Sequence, residues 1–525
     1  MPPPSFSSQS TIQVHAPRGT IALLKDATQA VYTYLQRGSD GGAAWTALQA
    51  LLADLHLDTD MSDPEWIHAP EPERSGTCES IAERLNVDLM DMHGGADVAC
   101  MLRVVEQAAI LLSPGRLIAH WAHALVFPAL SQSHALSYAD VARAHRLCVY
   151  MMLSVPLEVY DGVQDTHAFR TDVSPASDAA LAFTQSVFML YAEGPVPGRH
   201  PAVASLDTIL SMYSETRPTP FLHHVALTLS PACTPLLHAL ILFLQRHTMH
   251  TYRITSTCLL EQLLALLVTL DGATVVEEGI KCLVMILPHV PYWLSRPESN
   301  KLPALFRLYA HVVTVFVHAN EHVRLLFSTV YGLFPGPFLW FLRAPDACLA
   351  HLGDTMPWDE NDTLPLQRGS DIYLEHHLVH PQLAKHELAP DEPAGRMWQH
   401  SDPADLLAMC QRLYVPTTSI PDRDVPLPMA DESGDARLRS EWRFDLYMRE
   451  QLLMPIGCLH RDRIAGTAEE EQQQQLQDTN RMLRTQLQTL QAHMERQRAE
   501  VQAANARHMQ WESELTTKLN TYRDE

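Results

Sequence analysis

Residues 258–288 read CLLEQLLALLVTLDGATVVEEGIKCLVMILP. Leu259, Leu260, Leu263, Leu264, Leu266 and Leu267 recur at helical spacing and make a broad apolar face. Asp271-Gly272 then breaks the pattern. Val275, Val276, Ile280, Leu283, Val284 and Leu287 define a second helix, which Pro288 ends. Helices this apolar are covered on two sides, so they belong inside a helical assembly.

The same reading extends outward. Leu302, Leu305, Phe306, Tyr309, Val312, Val313 and Phe316 predict a third helix, and Leu325, Leu326, Val330 and Tyr331 a fourth. Upstream, helical patterns occupy Ile21–Leu35, Met101–Leu112, Leu117–Leu130, Ala139–Leu153, Ala179–Tyr191 and Ala204–Tyr213. Breaks such as Ser113-Pro114-Gly115 separate them. Strand-like alternation is scarce. The expected fold is therefore all-α. Short breaks between helices suit a HEAT or armadillo-like solenoid, with an irregular helical domain as the alternative.

Beyond Gln367 the pattern predicts short helices at Ile372–Val379 and Pro403–Leu413. Pro416, Pro421, Pro426 and Pro428 then exclude a regular helix, so 416–436 reads as a linker. A helix follows over Glu441–Ile464, kinked at Pro455 and Gly457. Its apolar residues Phe444, Tyr447, Leu452, Leu453, Ile456 and Leu459 are expected to dock a partner.

The final segment carries heptads. Leu476, Leu483, Leu490 and Trp511 fall at d, and Leu487, Met494, Val501 and Leu515 at a. Asn480, Gln497 and His508 interrupt the seam with polar groups, so it looks incomplete without another chain or more copies of itself. Leu476, Leu483, Leu487, Leu490, Met494 and Val501 join the expected partner-binding set. The expected layout is a disordered tail (1–19), a helical-repeat domain (20–345), a helical extension (346–415), a Pro-rich linker (416–436), a kinked docking helix (437–466) and a coiled coil (467–525).

Composition narrows the function. Of the 525 residues, 46% are hydrophobic, enough for a sizeable core. The net charge of -23 repels phosphate backbones, so nucleic acid is not an expected partner. Six arginines between Arg437 and Arg463 make a local exception that fits an acidic partner or an ordinary solvated face. Nine scattered cysteines do not form a disulfide framework and point to a reducing compartment. Residues 1–19 lack the apolar run of a secretory signal, and no stretch of about 18–20 residues is apolar throughout.

Signatures of chemistry are missing. There is no P-loop, no G-x-S-x-G elbow and no H-E-x-x-H. His376 and His380 share helical spacing, with His377 and His386 close by, but Pro381 ends the helix at once and no Cys supplies a third ligand nearby. His120 and His123 read as partly buried structural residues. No catalytic residue, cofactor or metal is expected.

Two stretches carry a resemblance. Val330-Tyr331-Gly332-Leu333-Phe334-Pro335, followed by Phe338 and Phe341-Leu342-Arg343, resembles a "YG-aromatic-P … F … FLR" element of the hamartins. Gly279–Pro291, the helix after it and His380-Pro381-Gln382-Leu383 are similar to that family's flanking elements. Glu441–Ile464 resembles the segment that opens the coiled coil in fungal hamartins. The resemblance implies a non-enzymatic scaffold with a helical-repeat domain and a coiled coil that binds tuberin, a GTPase activator for Rheb. It also implies negative regulation of TOR signalling, self-association through the coiled coil, and cytoplasmic protein peripheral on the lysosomal or vacuolar membrane. The chain departs from the family in its short linker and short coiled coil, which puts distal sites in doubt. A coiled-coil vesicle tether or transport adaptor shares this architecture and is the alternative.

Overall fold

The computed structural model describes residues 17–37, 41–57, 75–160, 175–193, 203–230, 234–270, 272–296, 301–316, 320–354, 356–384, 398, 401–415, 438–453, 496, 498, 502–503 and 505–518. The chain divides into two compact units, Met1–Gln451 and Leu452–Glu525. The described part of the first unit is all-helical apart from one antiparallel bridge between His377 and Tyr414.

Its principal helices are α1 (Arg18–Arg37), α2 (Gly42–Asp54), α3 (Gly76–His93), α4 (Val98–Gln107), α5 (Tyr138–Leu153), α6 (Pro175–Glu193), α7 (Val203–Thr216) and α8 (Pro218–Thr228). There follow α9 (Thr234–Arg246), α10 (Leu259–Thr269), α11 (Ala273–Ile286), α12 (Lys301–Val315), α13 (Glu321–Leu333), α14 (Pro335–Arg343), α15 (Thr363–Leu374) and α16 (Pro403–Arg412). Capping side chains start several of them. Ser75, Asp97, Ser137, Asn320 and Asp402 each accept a backbone N–H that the first turn leaves without an intrahelical partner.

Alternate helices stack on one another. One row runs α5, α7, α9, α11, α13 and α16; the other runs α6, α8, α10, α12 and α15. Helices α10 to α13 are where the opening stretch and its successors predict them, and their Leu, Val and Ile faces are buried between the rows.

Two expectations are corrected. The helix expected at Ile372–Val379 instead spans Thr363–Leu374, because His377 leaves the helix to pair with Tyr414. His120 and His123 are exposed, since Leu117–Val126 winds as a wider π-helix that turns them outward while Trp121 donates inward to Asn86 Oδ1 at 2.8 Å. No single described helix is long and apolar enough to cross a membrane. The apolar pair α13 and α14 is bent by 118° where they meet and is mostly buried. The seven cysteines among the described residues are free thiols, and six of them are buried.

The Val330–Arg343 element is a core corner. Pro335 starts α14 at its first position, where a missing N–H costs nothing. Phe338 packs edge-on to Tyr309 and Phe327, and Phe341 stacks on Phe306 at 5.1 Å. Tyr331 Oη donates to the Leu378 carbonyl at 3.2 Å and accepts the His380 N–H at 2.9 Å. Gly332 has a separate reason. A methyl there would collide with Cys410 Sγ and stand 3.1 Å from Cys410 Cα, so α13 and α16 approach only because position 332 has no side chain. Gly332→Ala is expected to cost about 1–3 kcal/mol by overpacking. An unchanged urea midpoint for that variant would contradict the close approach.

Candidate functional site

A helix over 438–453 follows residues outside the description; its first-unit part is 438–451. Ser440, Glu441, Phe444, Tyr447 and Gln451 recur at about every third or fourth position and turn toward the same side. Ser440, Phe444, Tyr447 and Gln451 are buried. The receiving surface belongs to α9, α11, α13 and the turn after α11. Tyr447 Oη donates to the Met285 carbonyl at 3.1 Å and lies 3.4 Å from His289 Nε2. Phe444 meets the His322 ring edge-on at 5.9 Å.

At the centre is Lys281, a fully buried cation. Its Nζ donates to Glu278 Oε1 at 3.0 Å and to Glu441 Oε2 at 2.6 Å. His322 Nε2 lies 3.3 Å from the other Glu441 oxygen. Ser440 Oγ donates to Glu278 Oε2, and His238 Nε2 lies 3.7 Å from that same oxygen, beyond hydrogen-bond length. Burial opposes the charge on Glu441, yet the hydrogen bonds from His322 and Lys281 outweigh it and hold the carboxyl down at about 2. Glu278 is also lowered: burial raises it, and its contacts with His238, Lys281 and Ser440 more than compensate. A buried charge is tolerated only when paired and hydrogen-bonded. The arrangement can therefore hold one helix in one register, because a shift of the helix takes Glu441 away from Lys281 and Ser440 away from Glu278.

This position corrects two residues of the expected partner-binding set. Phe444 and Tyr447 are covered by the chain's own α11, α13 and His289 turn, so their apolar surface is not free for another protein. The apolar stripe is real, but its covering is internal. Leu452 and Leu453 differ: they are 38% and 63% exposed. Ile456, Leu459, Leu476, Leu483, Leu487, Leu490, Met494 and Val501 lie outside the described residues. Of the heptad segment, 505–518 is helical, and Met509, Trp511 and Leu515 are exposed there.

Sequence reasoning missed Glu278, Lys281, His322, Ser440 and Glu441. A signal for the first two existed, since Glu278, just before the apolar stretch 279–286, and Lys281, within it, stand three apart on a face that the helix buries.

Elsewhere the first unit offers less. A groove of about 680 Å³ lies between α10, α12 and residues 356–362. Its cations are engaged: Lys301 pairs with Glu261 at 2.8 Å, and Arg307 with Asp354 at 2.5 Å. Ser328 Oγ lies 2.8 Å from His377 Nε2, but it is fully buried, where no substrate reaches it. No group of three or more metal-ligating side chains converges among the described residues.

Fold and site together define an all-α protein of stacked helices whose built recognition surface receives a helix. No protein-family profile matches the chain. It is 36% identical over 88 residues to the Tuberous sclerosis 1 protein homolog of Schizosaccharomyces pombe, covering 17% of this chain and 10% of that one. It is 23% identical over 275 residues to Hamartin of Mus musculus, covering 47% and 22%. Hamartin of Homo sapiens matches at 24% over 242 residues, covering 41% and 19%. Two solved structures share the fold. One is a TSC1 N-terminal domain (TM-score 0.52, 18% identity, 74% of this chain and all of that one). The other is a TSC1 N-terminal and linker domain (TM-score 0.51, 17% identity, 83% and 99%). The chain is thus similar to hamartins in sequence over these stretches and to TSC1 N-terminal domains in fold. The matched stretches span about a tenth to a fifth of the curated relatives' length.

Proposed function

We propose that this protein is a non-catalytic scaffold subunit of a hamartin–tuberin-type complex. Its stacked rows of helices act as a solenoid body. Its C-terminal segment, through the heptad seam, holds a tuberin-like GTPase activator for a Rheb-type GTPase, and the assembly restrains TOR signalling. It works in the cytoplasm, peripheral on the lysosomal or vacuolar membrane, and self-associates through the same seam. The similarity to hamartins and to the fold of TSC1 N-terminal domains supports this reading. The exposure of Met509, Trp511 and Leu515 is the observation that carries the placement of the partner, since apolar side chains on a helix this polar call for a covering chain.

The reading separates two kinds of residue. Seam residues Leu483, Leu487 and Leu490 serve the partner, whereas Phe444 and Tyr447 serve the body. In co-purification with a tuberin homologue, the full-length chain recovers the partner. The triple variant L483D/L487D/L490D is expected to lose it by more than tenfold while melting like the parent. Full recovery by that variant, or capture of coat or motor proteins in place of tuberin, would overturn the reading.

A further inference from the structure

We propose that Ser440 is a phosphorylation site, and that a phosphoryl group on its oxygen undocks the 438–451 helix. The inference goes beyond the scaffold role and does not depend on which partner is bound.

The geometry sets the conflict. Ser440 is buried, and its hydroxyl donates to Glu278 Oε2. Glu278 and Glu441 are both held ionised and share one buried cation, Lys281. A phosphoserine carries about −1.5 to −2 charges near neutral pH and has acceptors where the hydroxyl had a donor. It would remove the Glu278 hydrogen bond and place a further anion against two carboxylates. Lys281 already serves both, and Ser440 is 1% exposed, so a phosphate there is cut off from solvent while the helix is docked. Undocking lets water solvate the phosphate and relieves the repulsion.

The sequence supplies the address. Arg437 and Arg439 stand three and one residues before Ser440. Guanidinium groups at such positions match acidic subsites, which is how charge-reading kinases choose substrates. Ser440 Oγ attacks the γ-phosphorus of ATP, the bond to the β–γ bridging oxygen breaks, ADP leaves, and the hydroxyl proton passes to the kinase's base. A buried hydroxyl is reached only while the helix is undocked. Phosphorylation therefore captures the open state and shifts the population toward it.

The test uses the full-length chain, MgATP and the catalytic subunit of cyclic-AMP-dependent kinase as an arginine-directed probe. Mass spectrometry is expected to find phosphate on Ser440 in the wild type and faster incorporation in Glu441→Gln, which loosens the dock without removing the buried lysine. Ser440→Ala takes none there. Trypsin cleavage after Arg443 and Arg449 is then expected to rise at least tenfold in the phosphorylated chain. A chain translated with phosphoserine at 440 gives the same readout without a kinase. No incorporation in either the wild type or Glu441→Gln would overturn the site. Cleavage unchanged by phosphoserine at 440 would overturn the release.

Discussion

Lys281→Ala is expected to destabilise the first unit by about 3–5 kcal/mol, the usual loss when one partner of a buried ion pair is removed. The larger share comes from Glu278, whose side chain is 4% exposed and would keep its charge with only His238 and Ser440 near it. The share from Glu441 is smaller, because that side chain is 40% exposed and water takes up part of its charge. The double variant Glu278→Gln with Lys281→Met is expected to recover part of the loss, since it leaves no buried charge unpaired. Urea denaturation followed by circular dichroism checks both. A Lys281→Ala midpoint equal to the parent's would show that the buried cation contributes nothing.

Acid is expected to weaken the fold well before the docking carboxylates protonate. Burial holds His145, His223 and His289 down at about 4 and His224 at about 3, against an ordinary value of 6.5. The sign follows from proton binding. Below 6.5 the unfolded chain takes up protons on these rings and the folded chain does not, so stability falls as pH falls from about 6.5 toward about 4. At pH 5 each such histidine costs about 2 kcal/mol relative to pH 7. Four together approach the about 5–15 kcal/mol that keeps an ordinary domain folded. Glu441, lowered to about 2, behaves the other way in range: its contribution is present above about 4.5 and is lost only as pH falls toward 2. Thermal melts at pH 7.5, 6 and 5 should show a steep early fall, reduced in His223→Phe or His224→Phe. A flat profile between pH 7 and 5 would contradict the neutral buried rings.

The helices were legible because their cause is local. Leu259 to Leu267 and Val275 to Leu287 state a helical period, and Asp271-Gly272 and Pro288 state its ends. The stacking of alternate helices follows from faces too broad to bury on one side only. The docking of 438–451 was not legible, because its cause is remote. Glu441 reaches Lys281 across the intervening α12 to α16, and Ser440 reaches Glu278 across 162 residues. An amphipathic stripe such as Phe444 and Tyr447 announces that something covers it. It does not say whether the cover belongs to the same chain. Ile372 to Val379 shows a related limit, since the pairing of His377 with Tyr414 overrides a local helical pattern.

The central claim is that 438–451 is part of the helical body, which leaves the seam beyond it for a partner. Hydrogen exchange of the full-length chain tests this most directly. Amides of residues 442–451 are expected to exchange as slowly as those of α11, and to lose that protection in Lys281→Ala. Exchange of 442–451 at the rate of an unfolded peptide in the wild-type chain would contradict the account.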